Sequence, residues 1–151
     1  MQGTPSAYPP GMSVPASLQS VVDQFARAPQ SLRLALLLEY ANALPELPEA
    51  WAGDADRFEK VEECQTPLFL ASEVEEGRVS VWFDAPPEAP TTRGFASILH
   101  KGLHGCTVDE VLAVPSDVTR SLELDALISP LRLRGMEAML MRLQRQVQDA
   151  S

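Results

Sequence analysis

The sequence is poor in cysteine, histidine and basic residues, and each shortage excludes something. Two cysteines and two histidines in 151 residues leave no CxxC pair and no zinc-ribbon spacing. Twelve Lys and Arg face 21 Asp and Glu, a formal charge of −9 with a pI near 4.6. A nucleic-acid surface needs clustered cations to displace phosphate counterions, so nucleic acid is not expected as a partner. No apolar run approaches the roughly 18–20 residues that span a bilayer, and the longest patch is Leu34 to Leu38. The N-terminus has no basic region followed by an apolar stretch, so neither a secretory signal nor membrane attachment is expected. A cytoplasmic location, with reduced thiols, is the expectation. Gly-x-x-x-x-Gly-Lys and Gly-x-Gly-x-x-Gly are both missing, and no serine–histidine–acid grouping can be assembled.

What is present is a core. Apolar residues make up 45% of the chain, enough for one domain of this length. Residues 1–17, rich in Pro, Gly and Ser, cannot build a periodic apolar face and read as a disordered tail; residues 18–151 read as a single domain. Leu18, Val21, Val22 and Phe25 follow helical spacing up to Pro29. A second helix is expected after Ser31, with its stripe on Leu32, Ala35, Leu36 and Tyr40. It is stopped by the stiff connector Leu44-Pro45-Glu46-Leu47-Pro48, since residues before proline avoid helical geometry.

A short helix is expected over about Ala55 to Val61, then a turn at Glu62-Glu63-Cys64. Leu68, Phe69 and Leu70 begin a strand, Glu75-Glu76-Gly77 turns, and Val79, Val81 and Phe83 alternate as the return strand, a hairpin over about 67–84. Thr91 or Thr92 is expected to cap a helix bearing Phe95, Ile98 and Leu99. Thr107-Val108-Asp109-Glu110 is a capping box, and Ser129-Pro130 supplies a cap and first-turn proline for a last helix through Leu133, Met136, Leu140 and Leu143. The fold class is α+β: a small antiparallel sheet covered by helices.

Charge is uneven. Residues 39–76 hold 11 acidic and two basic side chains, 2 − 11 = −9, so the remainder sums to zero. This stretch is either a solvated face or a docking surface for a basic partner. Cys64 lies within it, flanked by Glu62, Glu63, Gln65 and Thr66 rather than by the apolar neighbours usual for a structural cysteine. From the residues alone the thiol is either reactive or incidental. Nearby carboxylates disfavour the thiolate, so a reactive Cys64 would depend on a partner for activation, as suits a carrier. Cys106, between Gly105 and the Thr107 cap, reads as a packing or loop residue. His100 and His104 stand four apart but lack further ligands, so a place at a helix end, against its carbonyls, is preferred to a metal site.

Several segments together resemble the SufE family of sulfur acceptors. Leu36-Leu37-Leu38-Glu39-Tyr40 with the proline connector is similar to that family's opening helix and linker. Val61-Glu62-Glu63-Cys64-Gln65-Thr66 resembles its V-x-G-C-Q-S loop, and Arg93-Gly94-Phe95 its K/R-G-hydrophobic helix start. Gly105 to Leu112 is similar to its N/G-x-T-P-E-E-I-L segment. Ser129-Pro130-Leu131-Arg132 with Gly135-Met136-Glu137-Ala138-Met139 resembles S-P-S-R-x-x-G-x-x-A-M. The likeness covers residues 18–148, in the family's order.

The resemblance implies that Cys64 takes persulfide sulfur from a SufS-like cysteine desulfurase, a pyridoxal-phosphate enzyme. It would then deliver the sulfur to an iron–sulfur scaffold of the SufBCD type, stimulating the desulfurase without independent turnover. It implies no cofactor and no metal on this chain. Arg132 matches the family's arginine near the cysteine loop and could support the thiolate; pairing with a carboxylate is the structural alternative. Glu62, Glu63, Gln65 and Thr66 would face the partner. Glu63 departs from the family's glycine, Thr66 and Leu131 from serines, and Pro67 can stiffen the strand entry. Two other functions fit the residues: a non-catalytic acidic adaptor in which Cys64 is dispensable, and a thiol oxidoreductase using Cys64 with Cys106.

Overall fold

A computed structural model describes residues 13–151. Helix α1, Ala16–Arg27, buries Leu18, Val21, Val22 and Phe25, the four residues on its helical stripe. The disorder expected over 1–17 does not hold for residues 13–17: Ala16 and Ser17 are helical, Pro15 is buried, and the Ser13 N–H donates to the Ala113 carbonyl at 2.8 Å. The rest of that tail lies outside the described residues.

Helix α2, Gln30–Asn42, buries Leu37, Tyr40 and Ala41. The expected stripe is half right: Tyr40 is buried and Leu36 packs against the core, but Leu32 is 56% exposed and Ala35 is also on the surface. Leucine occurs all around this helix, so periodicity could not choose a face. The choice is made by helix α3, Pro90–Leu103, whose Gly94 lets α2 approach closely. A Cβ on Gly94 would stand 2.6 Å from Leu37 Cδ1 and 2.8 Å from the Leu37 carbonyl oxygen. Gly94→Ala should therefore destabilise the fold by a net of about 2 kcal/mol, overpacking outweighing the gain in helix propensity. Urea denaturation checks this: the midpoint should fall with the slope unchanged, and an undiminished midpoint would contradict the close packing.

The expected helix over Ala55 to Val61 is mostly replaced by other structure. A 3₁₀ turn covers Ala55–Arg57, and strand β1, Glu59–Lys60, follows. β1 pairs antiparallel with strand β2, Phe69–Glu75, through Glu59↔Leu70 and Lys60↔Phe69. This non-local ladder overrides local preference. Strand β3, Arg78–Asp84, completes a three-stranded antiparallel sheet of order β1-β2-β3. Its register with β2 runs from Glu75↔Arg78 to Phe69↔Asp84. Glu76 and Gly77 take positive φ of 52° and 77°, the left-handed pair that a two-residue hairpin turn requires.

The N-cap of α3 is Ala89, without a side-chain bond, and Pro90 opens the helix. Thr91 and Thr92, expected as caps, instead lie in the first turn. Helix α4, Val108–Leu112, carries the capping box: the Glu110 N–H donates to Thr107 Oγ1 at 3.2 Å and the Thr107 N–H to Glu110 Oε1 at 2.9 Å. A further 3₁₀ segment, Ser116–Leu122, was not foreseen. Helix α5, Pro130–Ala150, is capped by Ser129 Oγ.

α3 packs on α1, α2, α5 and β3, while α5 also crosses β2 and touches α4. The α+β architecture is as expected: a small antiparallel sheet and helices around one buried cluster from Leu18 to Val147. Among the described residues no helix is long and apolar enough to cross a membrane.

Candidate functional site

Cys64 sits on the turn that joins β1 to β2. Val61 and Leu68, both fully buried, pin the two ends of this loop, and the Val61 N–H donates to the Leu68 carbonyl at 2.9 Å. Inside it the Cys64 N–H donates to the Val61 carbonyl at 3.1 Å, closing the turn. The side chain leans on α5, with Sγ 3.8 Å from the Gly135 carbonyl oxygen. A Cβ on residue 135 would stand 3.3 Å from the sulfur, tighter than ordinary contact, so glycine there lets the thiol rest on α5 without being displaced.

Around the thiol lies a cavity of about 20 Å³, with Thr91, Thr92, Phe95, Leu131, Arg132 and Met139 among its lining residues. That is room for about one water-sized group. The Thr66 and Thr92 hydroxyls, 3.0 Å apart, tie the far side of the loop to α3.

The electrostatics keep the sulfur protonated. Half-burial first, and then the Glu63 carboxylate, push the Cys64 thiol up to about 11; the Arg142 guanidinium offsets this only in part. Glu62, Glu63 and Gln65 are exposed and Thr66 is half-buried. Arg132 is exposed at the rim of the cavity, where its Nη1 stands 3.5 Å from Thr91 Oγ1.

The cation acting on the sulfur is Arg142, a residue the sequence reading missed. Its Nε donates to Glu63 Oε1 at 3.0 Å, and one Nη lies 2.8 Å from the same oxygen. The other Nη donates to Glu59 Oε2 at 2.6 Å and to the Lys60 carbonyl at 3.3 Å. Glu59 is also bound by Arg145, and accepts from Gln146 Nε2 at 3.0 Å; this network holds its carboxyl below the usual range. A signal was available: Gly135, Met139, Arg142 and Gln146 fall at spacings of four, three and four, one face of α5.

Cys106 is apart from this group. It is buried, and its thiol donates to the Gly102 carbonyl at 3.5 Å and approaches Ser17 Oγ at 3.7 Å. Burial raises its pKa. Both cysteines are free thiols. The rings of His100 and His104 stack at 4.5 Å against Trp82. His104 does not bond helix-end carbonyls as expected; its Nδ1 accepts the Val81 N–H at 3.1 Å. Burial, and His104 beside it, push His100 down to about 4. Among the described residues no three His, Cys, Asp or Glu side chains converge as a metal site would require.

Comparison with known proteins shows the family of the chain. A family model described as "SufE: Fe-S metabolism associated domain" matches residues 19–147. An uncharacterized SufE-like protein of Mycobacterium tuberculosis is 52% identical over 139 residues, covering 91% of this chain and 96% of that protein. SufE-like protein 1 of Arabidopsis thaliana, chloroplastic/mitochondrial, is 30% identical over 146 residues, 94% of this chain but 38% of its own length. The solution structure of a hypothetical protein from Thermus thermophilus superposes with a TM-score of 0.81 at 43% identity, covering 91% of this chain and 98% of that one.

Proposed function

Because the chain belongs to the SufE family, whose domain is associated with Fe–S metabolism, we propose that it is a sulfur acceptor working through Cys64. The donor is a SufS-like cysteine desulfurase, which itself holds the pyridoxal phosphate. The recipient is an iron–sulfur cluster scaffold of the SufBCD type, and the setting is the cytoplasm, where thiols stay reduced. The observation that carries this reading is the seat of Cys64. A single thiol is presented on a turn, half-buried and protonated, beside a cavity with room for about one water-sized group.

The transfer is ordinary thiol exchange. Cys64 gives up its proton on leaving the seat, and its thiolate attacks the outer sulfur of the donor's persulfide. The new S–S bond forms at Cys64 as the donor's S–S bond breaks, and the electron pair departs on the donor cysteine's sulfur as a thiolate. No external oxidant or reductant is required. Delivery to the scaffold repeats the exchange with Cys64 as donor.

Activation then belongs to the encounter. A partner must lift the thiol out of its low-dielectric seat, which lowers its pKa. Glu62, Glu63, Gln65 and Thr66 line the approach and Arg132 stands at the rim, so these residues meet the partner. The expected result is that adding this protein raises the turnover of a cysteine desulfurase, measured as alanine released, while the protein alone releases none. No rise over a range of desulfurases would speak against the reading.

A further inference from the structure

Glu63 stands immediately before Cys64, and it holds the only ion pair made by the 62–67 loop among the described residues. The partner, Arg142, comes from the middle of α5 and uses all of its nitrogens. Two face the Glu63 carboxylate, and the third holds Glu59 and the Lys60 carbonyl. One guanidinium therefore spans the strand that enters the loop and the residue that precedes the thiol.

The two ends of this clamp differ. Glu59 is held redundantly by Arg145 and by Gln146, which also donates to the Leu70 carbonyl, and Val61 behind it is fully buried. Glu63 has no such reserve: its side chain is 39% exposed against 21% for Arg142. The strand end is thus fixed and the Glu63 end can let go. What else seats the loop is the packing of Cys64 against the core, the long contact from Sγ to the Gly135 carbonyl and the Thr66–Thr92 hydroxyl pair.

We infer that the Glu63–Arg142 pair is a latch that holds the cysteine loop seated against α5, with Glu63 and Arg142 as positioning residues for Cys64. This rests on the reading of Cys64 as the sulfur acceptor only for its purpose. A loop with glycine at this position has no carboxylate to engage the arginine, so the latch is a property of chains bearing Glu63. It sets how readily the thiol becomes available, through the equilibrium between a seated and a released loop.

Electrostatics and latching make opposite predictions for Arg142, which makes the idea testable. Arg142 lowers the thiol pKa, so its loss by itself leaves less thiolate and slower alkylation. Loss of the latch releases the loop and speeds alkylation. A partly exposed pair in which two guanidinium nitrogens share one carboxylate oxygen shifts such an equilibrium by about fivefold.

The test is the rate of Cys64 alkylation by iodoacetamide in the full chain, followed by peptide mass spectrometry. Arg142→Gln should react about fivefold faster than the unchanged protein. Glu63→Gln should also react faster, and the double variant no faster than the quicker single one, since both remove the same contact. Arg142→Lys keeps the charge but not the fork, and should likewise be faster. The unchanged protein should speed up as salt rises from about 0.05 to 1 M, while Arg142→Gln should not respond.

Alkylation of Arg142→Gln and Arg142→Lys at or below the unchanged rate would overturn the latch. So would full additivity in the double variant. The sulfur-acceptor reading is judged separately, by sulfur loading: failure to load with these alkylation results intact removes that reading and leaves the latch, and the reverse outcome removes the latch alone.

Discussion

Cys64→Ser will bind a cysteine desulfurase and fail to stimulate it, turnover remaining at the level of the desulfurase alone. The substitution is close to isosteric. The Cys64 N–H bond to Val61 that shapes the turn belongs to the backbone, and a hydroxyl can still face the Gly135 carbonyl. The flanking Glu62, Glu63, Gln65 and Thr66 are untouched, so the proposed docking surface survives. What is lost is the atom that attacks sulfur: a serine hydroxyl is not ionised near neutral pH and forms no persulfide. Cys106→Ala serves as the control and should stimulate fully, because its sulfur is buried against Gly102 and Ser17 on other elements. Full stimulation by Cys64→Ser would instead point to an acidic adaptor that works by binding alone. Loss of stimulation in Cys106→Ala, with the fold intact, would bring back a two-thiol mechanism.

In the free protein, Cys64 will react with iodoacetamide at pH 8 about a hundredfold more slowly than the same residue in the denaturant-unfolded chain. With the thiol pushed up to about 11, the thiolate at that pH is roughly one part in a thousand, against about one in ten or more for an ordinary thiol. A more basic thiolate is intrinsically the better nucleophile, which recovers about tenfold. Packing against α5, with Sγ under the Gly135 carbonyl, limits access and cancels that recovery. The direction with pH follows from the sign of the shift. A pKa raised in the folded state means that the seated loop is favoured below about pH 9 and loses its advantage as pH rises through about 11. The logarithm of the alkylation rate should therefore climb steadily from pH 7 past pH 10. A plateau near pH 9 would show a thiol without the burial and the carboxylate that the structure places around it.

Cys64 stood out in the sequence because its neighbours are unusual for a core cysteine, four polar residues enclosing one thiol; its place on a turn before β2 was legible there, its role was not. The hairpin was legible because alternation and the Glu-Gly turn agree, and α4 and α5 because their caps are local devices with fixed spacing. Where the reading failed, the deciding partner lay far away in sequence. β1 is two residues long and exists by pairing with Leu70 and Phe69, so nothing within Glu59-Lys60 announces it. The buried face of α2 is chosen by Gly94, more than fifty positions after Leu37. Arg142 looks like a solvated charge on α5 until Glu59 and Glu63 are folded onto it. The hydrophobic pattern records which residues avoid water, but not which charged residues will meet.

These misses share a consequence for function. Composition alone showed a thiol among carboxylates, a poor setting for an independent nucleophile. The fold adds what quiets it: burial on α5, a carboxylate next to it, and an arginine that holds that carboxylate in place. On the proposed reading, the reactivity of Cys64 is set by whether its loop is seated.

The central claim is that sulfur is carried on Cys64, and peptide mass spectrometry after incubation with a cysteine desulfurase and cysteine tests it most directly. The account predicts one additional sulfur atom on the peptide containing Cys64, removed by a thiol reductant, and none on the peptide containing Cys106. A protein that stimulates the desulfurase while its Cys64 peptide keeps its unmodified mass, or whose added sulfur is found on Cys106, would contradict it.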